Sequence, residues 1–294
     1  MSTADSVPVL VVLPAMGVAG RYYSRFTEAL ALRAQVHALA CDLLSGGGRR
    51  RGARDFGYRE IVEHEIPAIV TGIRKRFPGR PVILCGHSLG GQLALLASSR
   101  MPEPPDGLVL IAAGTAHHRA WPPGARLKAR LIVRLIRLAA GLLPWYPGDM
   151  LGFGGDQPRR LMRDWGYNAT TGRYRLEGSS VDEAQLAKAM SSLQLPVLAV
   201  GVHGDLVAPE GAQIELIAPL RSACVQRVVL EGAVYGGRWR RHFGWARNPE
   251  AAADVISHWV KRLWPGGPAF EGNLGDPRES RVASRAGQAT SASS

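Results

Sequence analysis

At 294 residues, with an apolar share of 46% and 20% charged residues, the chain has the size and composition of one elaborated globular domain or a domain carrying an insertion, which excludes a disordered polymer. Its three cysteines, Cys41, Cys85 and Cys224, lie far apart with no C-x-x-C spacing, so neither a disulfide framework nor a cysteine zinc site is expected. The net charge of +12 belongs to the body of the chain, because Glu271, Asp276 and Glu279 offset Arg278, Arg281 and Arg285 near the C-terminus.

No Lys or Arg precedes the apolar run at residues 7–12, and no later stretch reaches the length of a membrane span, so a cytoplasmic location is expected. Residues 7–13 are short, apolar and rich in valine, as a strand buried on both faces requires. They end in Pro14-Ala15-Met16-Gly17. Tyr22, Tyr23, Phe26 and Leu30 then recur at helical spacing up to Arg33, and residues 35–40 give a second strand, opening a βαβ series with a parallel sheet. Gly17 and Gly20 do not complete the G-x-G-x-x-G pattern of a dinucleotide site. Residues 45–52 read as a basic surface loop without the Gly-Lys-Ser/Thr of a phosphate-binding loop. A helix is expected over 58–77, kinked at Pro67 and stopped by Pro78-Gly79-Arg80-Pro81.

The apolar strand at residues 81–85 runs directly into Gly86-His87-Ser88-Leu89-Gly90, and a helix-like segment follows over 92–97. A strand that becomes a helix within five residues needs glycines on both sides of the bend, and the residue at its tip stands clear of the backbone. The spacing therefore predicts a nucleophile elbow with Ser88 at its tip and the N-terminus of a helix, a favourable place for a developing oxyanion, just behind it.

Residues 107–112 give the next strand, but the alternation does not resume until residues 196–201. The intervening segment, 114–195, is too long for a loop and is expected to form a helical cap over the strand tips. Its first helix, 126–143, carries Arg126, Arg130, Arg134 and Arg137 on one face and Leu127, Leu131, Leu135, Leu138 and Leu142 on another. Ser180 and Glu183 form a capping-box pattern ahead of a further helix ending near Met190. Trp145, Tyr146, Phe153, Trp165 and Tyr167 make either the cap's own small core or an apolar roof over the serine. No acidic residue lies between Asp106 and Asp149, whereas Arg119 and Lys128 join the four arginines there. Such a stretch is a solvated face or a surface for anionic lipid head groups, membranes or acidic substrates; nucleic acid is not expected. A helix at 210–217, a strand at 224–230, a loop at 231–247 and a helix at 249–263 complete the fold. The domain reading is thus a core in two parts, 7–113 and 196–264, the cap between them, and a disordered tail over 265–294.

A serine hydroxyl becomes a nucleophile when a base takes its proton and an acid orients that base. Groups converging on Ser88 must sit in loops at the carboxyl ends of strands. Asp205, just after the 196–201 strand, is the expected acid, and His242, after the last strand, the expected base. The backbone N–H groups of Leu89 and Met16 are the expected oxyanion donors. His117, Trp145 and Tyr146 are candidate substrate contacts; no metal or cofactor is expected.

With Leu13-Pro14-Ala15-Met16-Gly17, Tyr22-Tyr23, Gly86 to Gln92, Asp205 with Ala208-Pro209, and His242-Phe243-Gly244 in view, the chain resembles the α/β-hydrolase superfamily, in its serine aminopeptidase-like and lysophospholipase-like branch, from about Val7 to Trp264. The resemblance implies the α/β-hydrolase fold, a mostly parallel six-stranded sheet with helices on both faces and an inserted helical cap. It assigns Ser88, Asp205 and His242 as the triad and Met16 and Leu89 as the oxyanion pair. Two features depart from the superfamily: Pro14-Ala15 stands where His-Gly is usual, and residues 42–57 lack its compact arginine-glycine turn. The expected activity is hydrolysis of an ester or thioester with a hydrophobic acyl group, through an acyl-enzyme. An amidase or aminopeptidase, and a non-catalytic binding protein on a hydrolase scaffold, are the alternatives.

Overall fold

The computed structural model describes residues 7–45, 55–237 and 240–265. The basic loop at 46–52 and the tail at 266–294 therefore lie outside the described residues. β1 (Val9–Leu13), β2 (His37–Ala40), β3 (Val82–His87), β4 (Gly107–Ile111), β7 (Pro196–Val202) and β8 (Cys224–Leu230) form one sheet, parallel throughout, in the order β2-β1-β3-β4-β7-β8. Side chains alternate across a strand, and along β1 they divide between two cores. Val9, Val11 and Leu13 join the core under the helical run from residue 58 to residue 76 and under α4 (Leu89–Arg100), whereas Leu10 and Val12 join the core under α1 (Ser24–Ala34) and α11 (Glu250–Leu263). β1 leads outward to β2 on one side while β3 pairs on its other side, so the sheet's switch point opens at the carboxyl ends of β1 and β3.

The helix expected around Pro67 comprises α2 (Tyr58–Glu60), a π-helical turn (Ile61–Glu65) and α3 (Ile66–Arg76). Proline has no N–H and its ring crowds the preceding turn, and the wider π turn directly before α3 accommodates both effects.

Between β4 and β7 lie α5 (Pro123–Leu142), an antiparallel ribbon of β5 (Trp145–Pro147) and β6 (Asp156–Pro158) enclosing α6 (Gly148–Leu151), then α7 (Arg159–Thr171) and α8 (Glu183–Ser192). The insertion thus contains a small ribbon besides helices. The capping box of α8 is formed by Asp182 and Gln185 rather than by Ser180 and Glu183: Asp182 accepts from Gln185 N at 2.8 Å, and Gln185 returns the bond to Asp182 N at 3.0 Å. On α5 the leucine stripe does not face the protein. Val133, Ile136 and Ala140 are buried, whereas Leu127, Leu131, Leu135, Leu138 and Leu142 are exposed. After β7 come α9 (Glu210–Ile217) and then, beyond β8, α10 (Arg241–Arg247), a helix where a loop is expected.

One buried charge ties the insertion to the core. Asp164 of α7 accepts the Tyr58 N–H at 2.9 Å at the start of α2, and Arg175 lies 3.5 Å from its other oxygen. Burial raises the Asp164 pKa to about 6. The unfolded chain therefore loses this proton near pH 4 while the native state keeps it to about pH 6, so the group's contribution to stability is full below pH 4 and lost as pH rises through 6. Asp164→Asn keeps an acceptor for Tyr58. It should gain about 2 kcal/mol relative to wild type between pH 4.5 and pH 7, read from urea midpoints at the two pH values. An unchanged difference would place the titration elsewhere.

Candidate active site

The bend after β3 is imposed by close backbone approach. A Cβ on Gly86 would lie 2.4 Å from Gly91 Cα, and one on Gly90 would lie 2.4 Å from Pro14 O, so only glycine lets α4 settle against β3 and the end of β1. Between them Ser88 takes φ 52° and ψ −118°, a conformation costly for a side-chain-bearing residue, and its N–H donates to Ile111 O at 3.2 Å. The Leu89 N–H heads α4, and the Met16 N–H lies in the turn that touches Gly90. Neither donates to another described residue.

The turn at residues 14–17 is held on three sides. Ala15 N donates to Tyr23 Oη at 3.0 Å, and Gly17 N donates to Ser45 O at 2.7 Å. From the insertion, Gln157 donates through Nε2 to Ser45 O at 3.1 Å and to Gly154 O at 2.7 Å, with Gly154 packed on the Met16 sulfur. Gly17, at φ 73°, admits this approach because a Cβ there would meet Gly154 O at 2.4 Å.

Asp205 follows β7 in a tight turn. Its Oδ1 accepts the N–H groups of Val207 at 2.7 Å and Ala208 at 3.1 Å, leaving Oδ2 to accept His242 Nδ1–H at 2.7 Å. Both side chains are buried, at 0% and 1% exposure. With Nδ1 donating to the carboxylate, the lone pair of Nε2 is the free one, the state a general base requires. His242 stands in the first turn of α10, its ring 4.8 Å from that of His87, the residue preceding Ser88.

His87 links these pieces. Its Nε2 lies 3.0 Å from His242 O, which can only accept, so Nε2 carries the proton and Nδ1 accepts from Tyr23 Oη at 2.7 Å. Tyr23 in turn accepts from Ala15 N. Burial, reinforced by the neighbouring His242, holds the His87 pKa well below that of a free imidazole, and the ring stays neutral. A buried chain of hydrogen bonds thus joins the turn at 14–17, the elbow and the backbone of His242. Sequence reasoning missed Tyr23, His87 and Gln157. The elbow pattern marks the position of His87 but not its partners, which lie 64 and 155 residues away.

The structure brings Asp205 and His242 into contact and sets His242 beside the elbow. His117 is engaged by Glu215 of α9 at 2.5 Å, and Tyr146 is enclosed in the core, where burial raises its pKa to about 12. Trp145 opens β5 beside it, half-buried. No hydrogen bond or ring contact joins His117 or Tyr146 to Ser88, Asp205 or His242 among the described residues. Among the described residues, no three of His, Cys, Asp and Glu cluster as metal ligands, and no helix is long and apolar enough to cross a membrane.

A parallel sheet with this strand order, a serine elbow and a carboxylate–imidazole pair at the strand ends defines an α/β hydrolase. The family model described as serine aminopeptidase, S33, matches residues 5–235, and the chain belongs to that family. The match stops before His242. Monoglyceride lipase of Homo sapiens is 37% identical over 67 residues, 22% of this chain and 20% of its own, and that of Rattus norvegicus 31% over 101 residues, 32% of each chain. The chain thus spans about a fifth to a third of the length of these curated relatives. Solved structures share the fold: the monoacylglycerol lipase of Paleococcus ferrophilus (TM-score 0.51, 18% identity, 87% of this chain and 95% of that one) and Est1E of Butyrivibrio proteoclasticus with bound ferulic acid (TM-score 0.56, 14% identity, 88% and 91%).

Proposed function

We propose that the protein is a serine hydrolase that cleaves a carboxylic ester or thioester with a hydrophobic acyl group, with Ser88 as nucleophile, His242 as general base and Asp205 as its orienting acid. The observation that carries the reading is the buried 2.7 Å contact of Asp205 with His242, whose ring lies 4.8 Å from that of His87, the residue before a serine held at φ 52°. In this mechanism His242 Nε2 takes the Ser88 proton as the oxygen attacks the carbonyl. The N–H groups of Met16 and Leu89 hold the oxyanion, and the imidazolium returns the proton to the leaving alcohol or thiol. Water, activated by the same imidazole, then releases the acid from the acyl-enzyme. Each oxyanion donor is worth about 3 kcal/mol in the transition state.

The insertion, 114–195, acts here as a cap whose ribbon buttresses the oxyanion turn through Gln157 and Gly154. Two named relatives are monoglyceride lipases, and a monoacyl ester of glycerol falls within the proposed class. The basic face of the insertion suits a substrate presented at an anionic lipid surface. A peptide amino terminus calls for an acidic subsite, and residues 107–148 contain no Asp or Glu.

A series of p-nitrophenyl esters of increasing chain length tests the substrate class. The expected result is a kcat/KM that rises from acetate to a medium-chain ester, whereas a steady fall with chain length contradicts a hydrophobic acyl group.

A further inference from the structure

α5 has an arrangement that folding alone does not explain. At about 100° per residue, Val133, Ile136 and Ala140 define the side facing the protein, and the five leucines at 127, 131, 135, 138 and 142 fall within a sector about 80° wide on the opposite side. These leucines are between 50% and 75% exposed, and Met150 and Leu151 of α6 add 79% and 50%. Scattered apolar residues on a surface need no explanation, but a continuous leucine stripe along a 20-residue helix does.

The charges beside it indicate the occupant. Arg126, Arg130, Arg134 and Arg137 occupy the sector between the leucines and the buried side, and with Arg119 and Thr170 they line an open groove of about 660 Å³. Arg137 is fixed there by Thr170 Oγ1 at 3.0 Å. An apolar stripe bordered by cations, with no carboxylate in residues 107–148, complements a surface that is apolar inside and anionic at its rim.

We propose that α5 docks the insertion onto an anionic lipid bilayer, the leucine stripe entering the acyl-chain boundary and the arginine groove taking head-group phosphates. This extends the reading of a lipid-derived substrate, but the experiment below does not depend on it. Two other occupants fit less well. A second copy packed stripe to stripe brings two arginine rows together, and residues 266–294 hold only Phe270, Leu274 and Val282 as large apolar side chains.

Co-sedimentation of the full chain with phosphatidylglycerol–phosphatidylcholine vesicles, and with phosphatidylcholine alone, tests the proposal. The variants are Leu131→Gln/Leu135→Gln and Arg130→Gln/Arg134→Gln. Hydrolysis of a soluble ester and the melting temperature are measured alongside and should match wild type, which separates failure of docking from failure of the catalytic reading. Wild type should bind the anionic vesicles, and the leucine variant should lose at least about tenfold in partitioning. The arginine variant should lose its preference for anionic lipid. Binding undiminished in the leucine variant overturns the proposal, as does binding by wild type only after removal of residues 266–294. A wild-type dimer that ignores vesicles and becomes monomeric in the leucine variant assigns the stripe to a second copy and likewise overturns it.

Discussion

Ser88→Ala is expected to lower the hydrolysis of an activated ester by about 10,000-fold or more, with little change in melting temperature. In the proposed mechanism the rate effect follows from removing the atom that attacks the carbonyl. In that mechanism what remains is the pair of N–H groups at Met16 and Leu89, expected to retain part of the catalysis without an acyl-enzyme. Stability should hold because the strain at φ 52° lies in the backbone and alanine carries it as serine does. Steady-state rates with a p-nitrophenyl ester, corrected for background hydrolysis, and a thermal melt provide the measurement. A loss smaller than tenfold would mean that another group attacks.

The second large effect is expected from Asp205→Asn, about 10,000-fold in kcat with KM nearly unchanged. Its origin lies in the turn after β7. The Oδ1 position accepts two backbone N–H groups, from Val207 and Ala208, so an asparagine must place its carbonyl oxygen there. Its NH2 then points at His242 Nδ1, which becomes the acceptor, and the imidazole proton moves to Nε2, the atom that receives the Ser88 proton in the proposed mechanism. The fold is preserved and the base is in the wrong tautomer. A kcat within about tenfold of wild type would show that His242 is oriented by something other than Asp205.

The candidate site was legible in the sequence where its logic is local. Gly86, Ser88 and Gly90 sit in one bend, and Asp205 stands just beyond the apolar run of β7, whereas His242 lies well past the end of β8, in α10. What was not legible depends on which neighbour an element meets. Helical periodicity reveals a leucine stripe and an arginine stripe on α5 but not that neither faces inward; Val133, Ile136 and Ala140 take that side. The capping box was misplaced because Ser180–Glu183 and Asp182–Gln185 overlap as patterns, and only the backbone decides between them. The helix carrying His242 is seven residues long and contains a glycine, too short for periodicity to register. The chain from Ala15 through Tyr23 and His87 to His242 spans most of the sequence, and no spacing rule predicts it.

Covalent labelling with a fluorophosphonate followed by peptide mapping asks whether the Asp205–His242 pair makes Ser88 nucleophilic. One modified peptide is expected, the one containing Ser88, formed rapidly by wild type and slowed severely in His242→Ala. Wild-type protein that stays unmodified, or a label on a different serine, would contradict that role of Ser88.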